Sequence, residues 1–556
     1  MKRLNFKKAV CAFLIAALTF SISGIAASAA EISLGSSIGE ESDDTEKLSE
    51  EETPGEPGEN NEEAPEGNEL PESYSSRELG YVTSVKTQKF NSCWVYAALA
   101  VLESTLLRMG YVTEDMSASH MNMWATERND SKGWIRDIYS EGYPVISLGY
   151  LTSWQGGVFK SDYSDDLLDE NVKGDEVPAD LARYGVTSVR YLNKSNPDEV
   201  KRCIMNYGGA YSSYAHSSTC LSPSKLSYFM PESYSESYVG HSIEIVGWND
   251  NYPRTSFTGA IGERPKNDGA WLIKNSWGDN NSLGGYFWIS YEDAYLLSKK
   301  FTPSFAIEGV EEINDSVKLI QNEIYGATYD FGYVKKEKLT YINRFSFDRD
   351  FNVIDKVVFQ TKAQGASYSI YFVPDDENSA PDADESRWTK LYEGVADHQG
   401  YFCADVDDFV YPDETGSIAV TIDTAGTEET SSIGVGEWLT VSGKPVFLNE
   451  SVHGQSYIKD GDSIQDLMDW YKENNDDEIG GTFVIKAVTK QRFFPTLLGD
   501  ANLDGKVDIQ DVTEIQRHLS EHITLEKTAA ANADYNQDGV ISIEDCTCIQ
   551  VVLAEL

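Results

Sequence analysis

The strongest constraint in this sequence is a polar, turn-rich loop that runs directly into an apolar helix. It occupies residues 85–104, VKTQKFNSCWVYAALAVLES. Ala97, Ala98, Val101, Leu102 and Leu106 recur at helical spacing, which predicts a helix that starts at Cys93 and buries one stripe. A cysteine in the first turn lies beside unpaired backbone N–H groups and the positive end of the helix dipole. Both stabilise a thiolate, the nucleophilic form of the side chain. Alone, such a cysteine is more often a small buried hydrophobe. Its surroundings must decide.

The chain has 556 residues, enough for several domains with separate cores. Residues 1–30 open with Lys2, Arg3, Lys7 and Lys8, continue through an apolar run and end in small residues, the layout of a secretory signal peptide. No later run reaches the roughly 20 apolar residues of a membrane span, so the mature chain is expected to be secreted and extracellular. Residues 31–72 are rich in Glu, Pro, Gly, Ser and Asn and contain no aromatic residue. A segment of that composition cannot bury enough apolar surface to fold, so residues 31–76 read as a disordered acidic linker. A formal net charge of −46 argues against nucleic-acid and anionic-membrane partners. Of seven cysteines, Cys11 leaves with the signal peptide, and Cys203, Cys220, Cys403, Cys546 and Cys548 show no framework spacing. A Cys203–Cys220 bridge stays open.

Two further phrases frame Cys93. Gly240-His241-Ser242-Ile243-Glu244-Ile245-Val246-Gly247-Trp248 alternates as a half-buried strand with His241 at its start, roughly 150 residues after the cysteine. Trp271-Leu272-Ile273-Lys274-Asn275-Ser276-Trp277-Gly278 follows, with Gly284-Gly285-Tyr286 close behind. Together with Gln88 and Ser92-Cys93-Trp94, these phrases resemble papain-like cysteine peptidases, whose patterns read Q-x-x-C-G-S-C-W, N-H-A-V-x-x-V-G-Y and W-x-x-K-N-S-W-G. The sequence departs from them at Phe90, in place of a cysteine, and at Asn91, in place of a glycine. The loop between Gln88 and Phe90 is also one residue shorter.

The resemblance implies a two-lobed α+β peptidase over residues 77–302. In it, Cys93 attacks a peptide carbonyl, His241 serves as base and then acid, and Asn275 orients the imidazole. The Cys93 N–H and the Gln88 amide hold the oxyanion, and no cofactor is needed. Trp277 shields the His–Asn hydrogen bond, and Trp277 and Gly142 border the substrate cleft. Residues 143–163 resemble the helix and loop after the cleft glycines of clostridial-type members. Residues 251–267 form an insertion expected on the surface, where it could overhang the cleft.

From 303 to 492 the pattern changes to short alternating runs, at 356–361, 367–373, 417–423 and 483–489, which predict an antiparallel β-sandwich. By position it resembles the lectin-like accessory domain of some bacterial members, with a glycan as its possible ligand.

Residues 493–556 contain a repeat. Asp500, Asn502, Asp504, Lys506, Asp508 and Asp511 are echoed by Asp534, Asn536, Asp538, Val540, Ser542 and Asp545, with Gly505 and Gly539 at the sixth position of each loop. Oxygen ligands at positions 1, 3, 5, 9 and 12 and a main-chain carbonyl at 7 suit calcium, and the glycine allows the sharp turn. Each loop enters an apolar helix, over 512–519 and 546–553. Paired loops of this kind resemble a dockerin, which implies two calcium ions and a cohesin partner on a cellulosomal scaffold. Loop positions 10 and 11, Ile509-Gln510 and Ile543-Glu544, are the implied cohesin contacts. The whole chain therefore reads as a secreted, scaffold-attached cysteine peptidase working through a thioester. The competing reading is a peptidase-shaped binding module without activity. A glycan-active enzyme would need a carboxylate pair that no motif here supplies.

Overall fold

The computed structural model describes residues 70–555 apart from residues 131, 302, 333–335, 349–350, 352, 376–378, 412–414, 438, 442–443, 449–451, 475–479 and 492–494. The signal peptide and most of the acidic linker lie outside the described residues. The described residues form two compact units, one within 70–182, 189–310 and 437–450 and one within 183–188, 311–436 and 451–555. No helix among the described residues is long and apolar enough to cross a membrane.

The first unit takes shape earlier in the chain than the sequence suggests. Strand β1 (Ser73–Ser75) pairs antiparallel with residues 247–249, so the acidic segment gives way to folded structure before residue 77. Helix α1 (Cys93–Arg108) begins at the cysteine, as its spacing predicts. It is buried on every side rather than along one stripe: Trp94, Val95, Ala98, Val101, Leu102 and Leu106 are enclosed, and so are the polar Glu103, Ser104 and Thr105. Of these three, the carboxylate finds its partners inside the fold, as a buried charge must. Glu103 accepts from Lys86 Nζ at 2.7 Å and from the Met116 N–H at 2.8 Å. Helix α2 (Ala118–Trp124) is capped by Ser117, whose hydroxyl accepts from His120 N. Helix α3 (Pro144–Thr152) opens on a proline, and α4 (Pro197–Tyr207) is capped by Asn196.

Strand β2 (Ala210–His216) pairs antiparallel with β3 (Val239–Asn249), which pairs with β4 (Ala270–Lys274), and β4 pairs with β5 (Tyr286–Ser290). Here the sequence expectation is corrected. β3 is enclosed on both faces from His241 to Trp248, because Ile243, Ile245 and Trp248 enter one apolar cluster and Val246 enters another with Leu272 and Tyr286. The insertion at 251–267 packs back on the sheet. Phe257 is buried with Phe229 and Ala270, and Ile261 N donates to Thr219 O. Cys203 and Cys220 are buried free thiols, so no bridge joins them.

In the second unit, strands at 338–346, 353–361, 367–374, 400–410, 415–423 and 485–490 build two antiparallel sheets. Leu339, Tyr341, Ile370, Phe372, Ile418 and Val420 of one sheet share a core with Ile354, Val357, Phe359, Phe402 and Ile485 of the other, which is the expected sandwich. The repeat region forms α5 (Ile509–Leu519), α6 (Lys527–Ala533) and α7 (Ile543–Glu555) around Val512, Ile515, Ala533, Cys546 and Ile549. Helix α5 starts three residues earlier than its apolar pattern because Asp508 and Asp511 close a reciprocal capping box.

Candidate active site

The three phrases converge in the first unit. Cys93 is the first residue of α1, and Ser242, the neighbour of His241, and the Trp94 backbone both draw its thiol pKa down. His241 Nε2 donates to Asn275 Oδ1 at 2.8 Å, and that oxygen also takes the Ser276 N–H at 2.8 Å. With Nε2 committed as a donor, Nδ1 is the ring nitrogen left to take a proton. Trp277 lies over the imidazole, with centroids 4.6 Å apart and planes 29° apart, and it stays 47% exposed, so its indole forms a lid on one face of the His–Asn pair.

Gln88 is held by the same segment that carries Asn275. Its N–H donates to Ser276 O at 2.7 Å, its Oε1 accepts from Ser276 Oγ at 2.8 Å, and Gly278 N donates to Lys86 O. Its Nε2 donates to Phe90 O at 3.0 Å. The shortened loop turns through Phe90, which adopts a left-handed backbone with φ of +53°. The Phe90 ring packs edge-on against Tyr139 at 4.6 Å, and Asn91 Nδ2 donates to Tyr139 O. The residues that depart from the family pattern thus anchor the loop to the segment before α3. In that segment, Gly142 lies against Trp94, where a Cβ would fall 2.3 Å from the indole. Packing requires a glycine there.

A network of charged groups fixes both sides of this arrangement. Lys86 contacts Glu103 and, at 2.9 Å, Asp115. Lys274, next to Asn275, lies 3.3 Å from Glu244 on β3 and donates to Thr83. Burial pushes the Glu244 carboxyl up, and Lys274 draws it back. At the reacting groups, burial pushes the Cys93 thiol up and the His241 imidazole down to about 4. Desolvation therefore favours the neutral forms. Ser242 and the Trp94 backbone at the thiol, and the Asn275 hydrogen bond at the imidazole, oppose it.

The description "Papain family cysteine protease" matches residues 70–301, "Lectin like domain" matches 319–489 and "Dockerin type I domain" matches 498–551. The clostridial cysteine protease Cwp84 after propeptide cleavage is 33% identical, with a TM-score of 0.66 over 75% of this chain and 99% of its own. The chain belongs to the papain family of cysteine proteases. The protease and lectin-like domains of Cwp84, a surface layer associated protein of Clostridium difficile, match at 32% identity with a TM-score of 0.66, over 76% of this chain and 89% of that one. Among curated relatives, human cathepsin L2 is 26% identical over 40% of this chain and 61% of its own, and procathepsin L of Felis catus is 26% identical over 39% and 60%. This protease spans about 60% of the length of these two cathepsins.

Sequence reading missed several neighbours of the site. His216 meets the edge of Trp277 at 5.0 Å and accepts or donates at Nδ1 with Tyr214 OH at 3.0 Å. Tyr211, Ser213 and Ser242 form a buried hydroxyl group beside the thiol. Only the pairing of β2 with β3 brings them together, so no local pattern could have shown them.

In the dockerin region the two loops repeat each other bond for bond. Asp500 accepts from Asp504 N and Gly505 N, and Asp534 accepts from Asp538 N and Gly539 N. Asp511 accepts from Asn502 N and Asp508 N, and Asp545 from Asn536 N and Ser542 N. Gly505 and Gly539 both take positive φ, as the turn requires. Burial, together with Asp500 and Asp508, pushes the Asp511 carboxyl up. Crowded oxygen donors of this kind fit a hard cation, and dockerin type I domains generally bind calcium. Ile509, Gln510, Ile543 and Glu544 are exposed.

Proposed function

We propose that the protein is an extracellular cysteine peptidase held on a scaffold by its dockerin. Cys93 attacks the substrate carbonyl as a thiolate while His241 takes up the thiol proton at Nδ1. His241 returns that proton to the leaving amine, a thioester remains on Cys93, and water hydrolyses it. Asn275 holds the imidazole in the required tautomer, and Trp277 keeps water from the bond between them. The Cys93 N–H and Gln88 Nε2 stabilise the oxyanion, for which Nε2 must exchange Phe90 O for the substrate oxygen. Gly142 and Trp277 flank the bound peptide. The observation that carries this reading is the 2.8 Å bond from His241 to Asn275, in the same unit as Cys93 at the first turn of α1.

The dockerin loops would hold two calcium ions, one by Asp500, Asn502, Asp504, the Lys506 carbonyl, Asp508 and Asp511. The other would be held by Asp534, Asn536, Asp538, the Val540 carbonyl, Ser542 and Asp545. Ile509-Gln510 and Ile543-Glu544 present matched exposed pairs to a cohesin, and the sandwich could carry a glycan. The leader over 1–30, the linker from 31 to about 69, the peptidase from 70 to 302, the sandwich to 492 and the dockerin beyond complete the proposed organisation.

The test uses the chain from residue 70 onward with Cys93→Ala as control. One epoxysuccinyl adduct by intact mass and casein cleavage under reducing conditions, both lost in the control, are expected. Labelling without cleavage would favour the binding-module reading, for which the engagement of Gln88 Nε2 with Phe90 O is the specific observation. Absence of both would refute the peptidase.

A further inference from the structure

The shortened loop before Cys93 borders an open pocket of about 410 Å³. On one wall stand Phe90 and Tyr139, 51% and 42% exposed. Their edge-on pairing leaves ring faces uncovered. Phe90 holds its place through a left-handed backbone, which a bulky residue keeps only where its surroundings impose it. Packing alone does not account for two exposed aromatic rings on such a turn. The facing wall is acidic. Asp166, Asp169 and Glu170 border the pocket, and all three are exposed. Glu170 accepts from Tyr139 OH at 2.8 Å and Asp169 from Asn171 Nδ2 at 2.8 Å, and among the described residues these three carboxylates form no ion pair. The neighbouring cations are engaged elsewhere: Lys160 lies 3.3 Å from Asp165, and Lys89 Nζ donates to the Asp165 carbonyl at 2.9 Å. Asp165 also anchors the acidic segment to α2, because its Oδ1 accepts from Ser119 N at 3.0 Å and its carbonyl from Ser119 Oγ at 2.9 Å.

We propose that this pocket is a substrate subsite for a basic side chain, Lys or Arg, on the acyl side of the scissile bond. An ammonium or guanidinium group lies on the face of Phe90 or Tyr139 while the carboxylates opposite meet its charge. A metal ion would use the carboxylates and gain little from the rings, so the two walls together select an organic cation. Position fixes the side of the bond. Gln88 Nε2, the oxyanion donor, bonds Phe90 O at 3.0 Å, so the pocket wall and the scissile oxygen share one neighbour. The carbonyl held there belongs to the acyl part of the substrate, whereas the leaving amine takes its proton from His241 on β3. Side chains close to that carbonyl are therefore the ones within reach of Phe90.

The inference rests on the peptidase reading, and its test separates the two. Quenched fluorescent peptides would carry a single Arg, or its neutral isostere citrulline, at the residue that supplies the scissile carbonyl or at either of the two before it. The ratio of kcat/KM for each pair would be measured with the full mature chain. At one of these positions Arg is expected to exceed citrulline by about tenfold. Raising the salt to about 1 M, where the Debye length is about 3 Å, should shrink that ratio. The combined substitutions Asp166→Asn, Asp169→Asn and Glu170→Gln should bring it to about twofold or less. Each ratio comes from one preparation, so it does not depend on the fraction of the variant that folds. A ratio of one or below at every position in the unaltered chain, or a preference that survives the three substitutions, would overturn the inference and leave the peptidase reading standing. Cleavage of no peptide would overturn both.

Discussion

Glu103 in the peptidase region is met by Lys86, Thr83 and the Met116 N–H, whereas Asp511 and Asp545 in the dockerin loops are met by backbone N–H groups and lie beside other acids. All three carboxylates are buried. The first is neutralised by the chain itself, and the others gather oxygen atoms around a place for a cation. The contrast shows two ways of stabilising a fold around buried charge: one built in by covalent sequence, the other conditional on an ion in the medium.

The contrast can be broken first at Glu103. Glu103→Ala leaves Lys86 with Asp115 alone and the Met116 N–H without its acceptor, and about 1–3 kcal/mol of stability should be lost from the peptidase region. A fall in the urea midpoint of activity loss, with the dockerin helices unaffected, would show it. An unchanged midpoint would mean that the network is ornamental.

Acid should separate the regions next. His120 is buried between Tyr150 OH, which donates to Nδ1, and Pro178 O, which accepts from Nε2, and burial lowers it to about 4. Its folded value lies below the ordinary 6.5, so between these values the unfolded chain binds the extra proton. Stability is complete above about 6.5 and declines as pH falls toward 4, by roughly 3 kcal/mol for this one group. His241, also lowered to about 4, acts in the same window. Denaturant midpoints at pH 7 and pH 4.5 would check the sign, and a peptidase region more stable at pH 4.5 would contradict it.

Chelation should act on the other partner in the comparison. At free calcium a hundredfold above Kd, a bound ion stabilises the folded form by about 2.7 kcal/mol. Removing it should expose 498–551 to limited proteolysis and leave cleavage of casein intact. Equal protection with and without chelator would place the dockerin loops with the self-neutralised class.

Much of this was written in local sequence. Cys93, His241 and Asn275 each sit in a phrase whose neighbours are constrained by one turn of helix or one strand, and the loop acids repeat at fixed offsets. The sandwich strands alternate clearly. The rest depends on distant pairing. β1 is three residues long, too short to alternate visibly beside an acidic stretch. Gly133–Trp134 pairs with Phe447 and Leu448, more than 300 residues away in sequence, and no periodicity encodes that. The Ser213–Ser242 pairing is equally silent, because it is fixed by the register between strands and not by either strand alone.

The strap at the start of the fold ties the leading segment to the strand that carries His241. Pro71 O accepts from the Trp248 indole, Glu72 O accepts from Asp250 N, and the Tyr74 ring stacks on Trp248 at 5.1 Å. Proteolytic trimming of the leading segment up to residue 70 leaves every one of these bonds in place. A cut even a few residues later would peel an edge from the strand that carries His241. The strand that carries His241 thus leans on its own chain's first described residues at that edge.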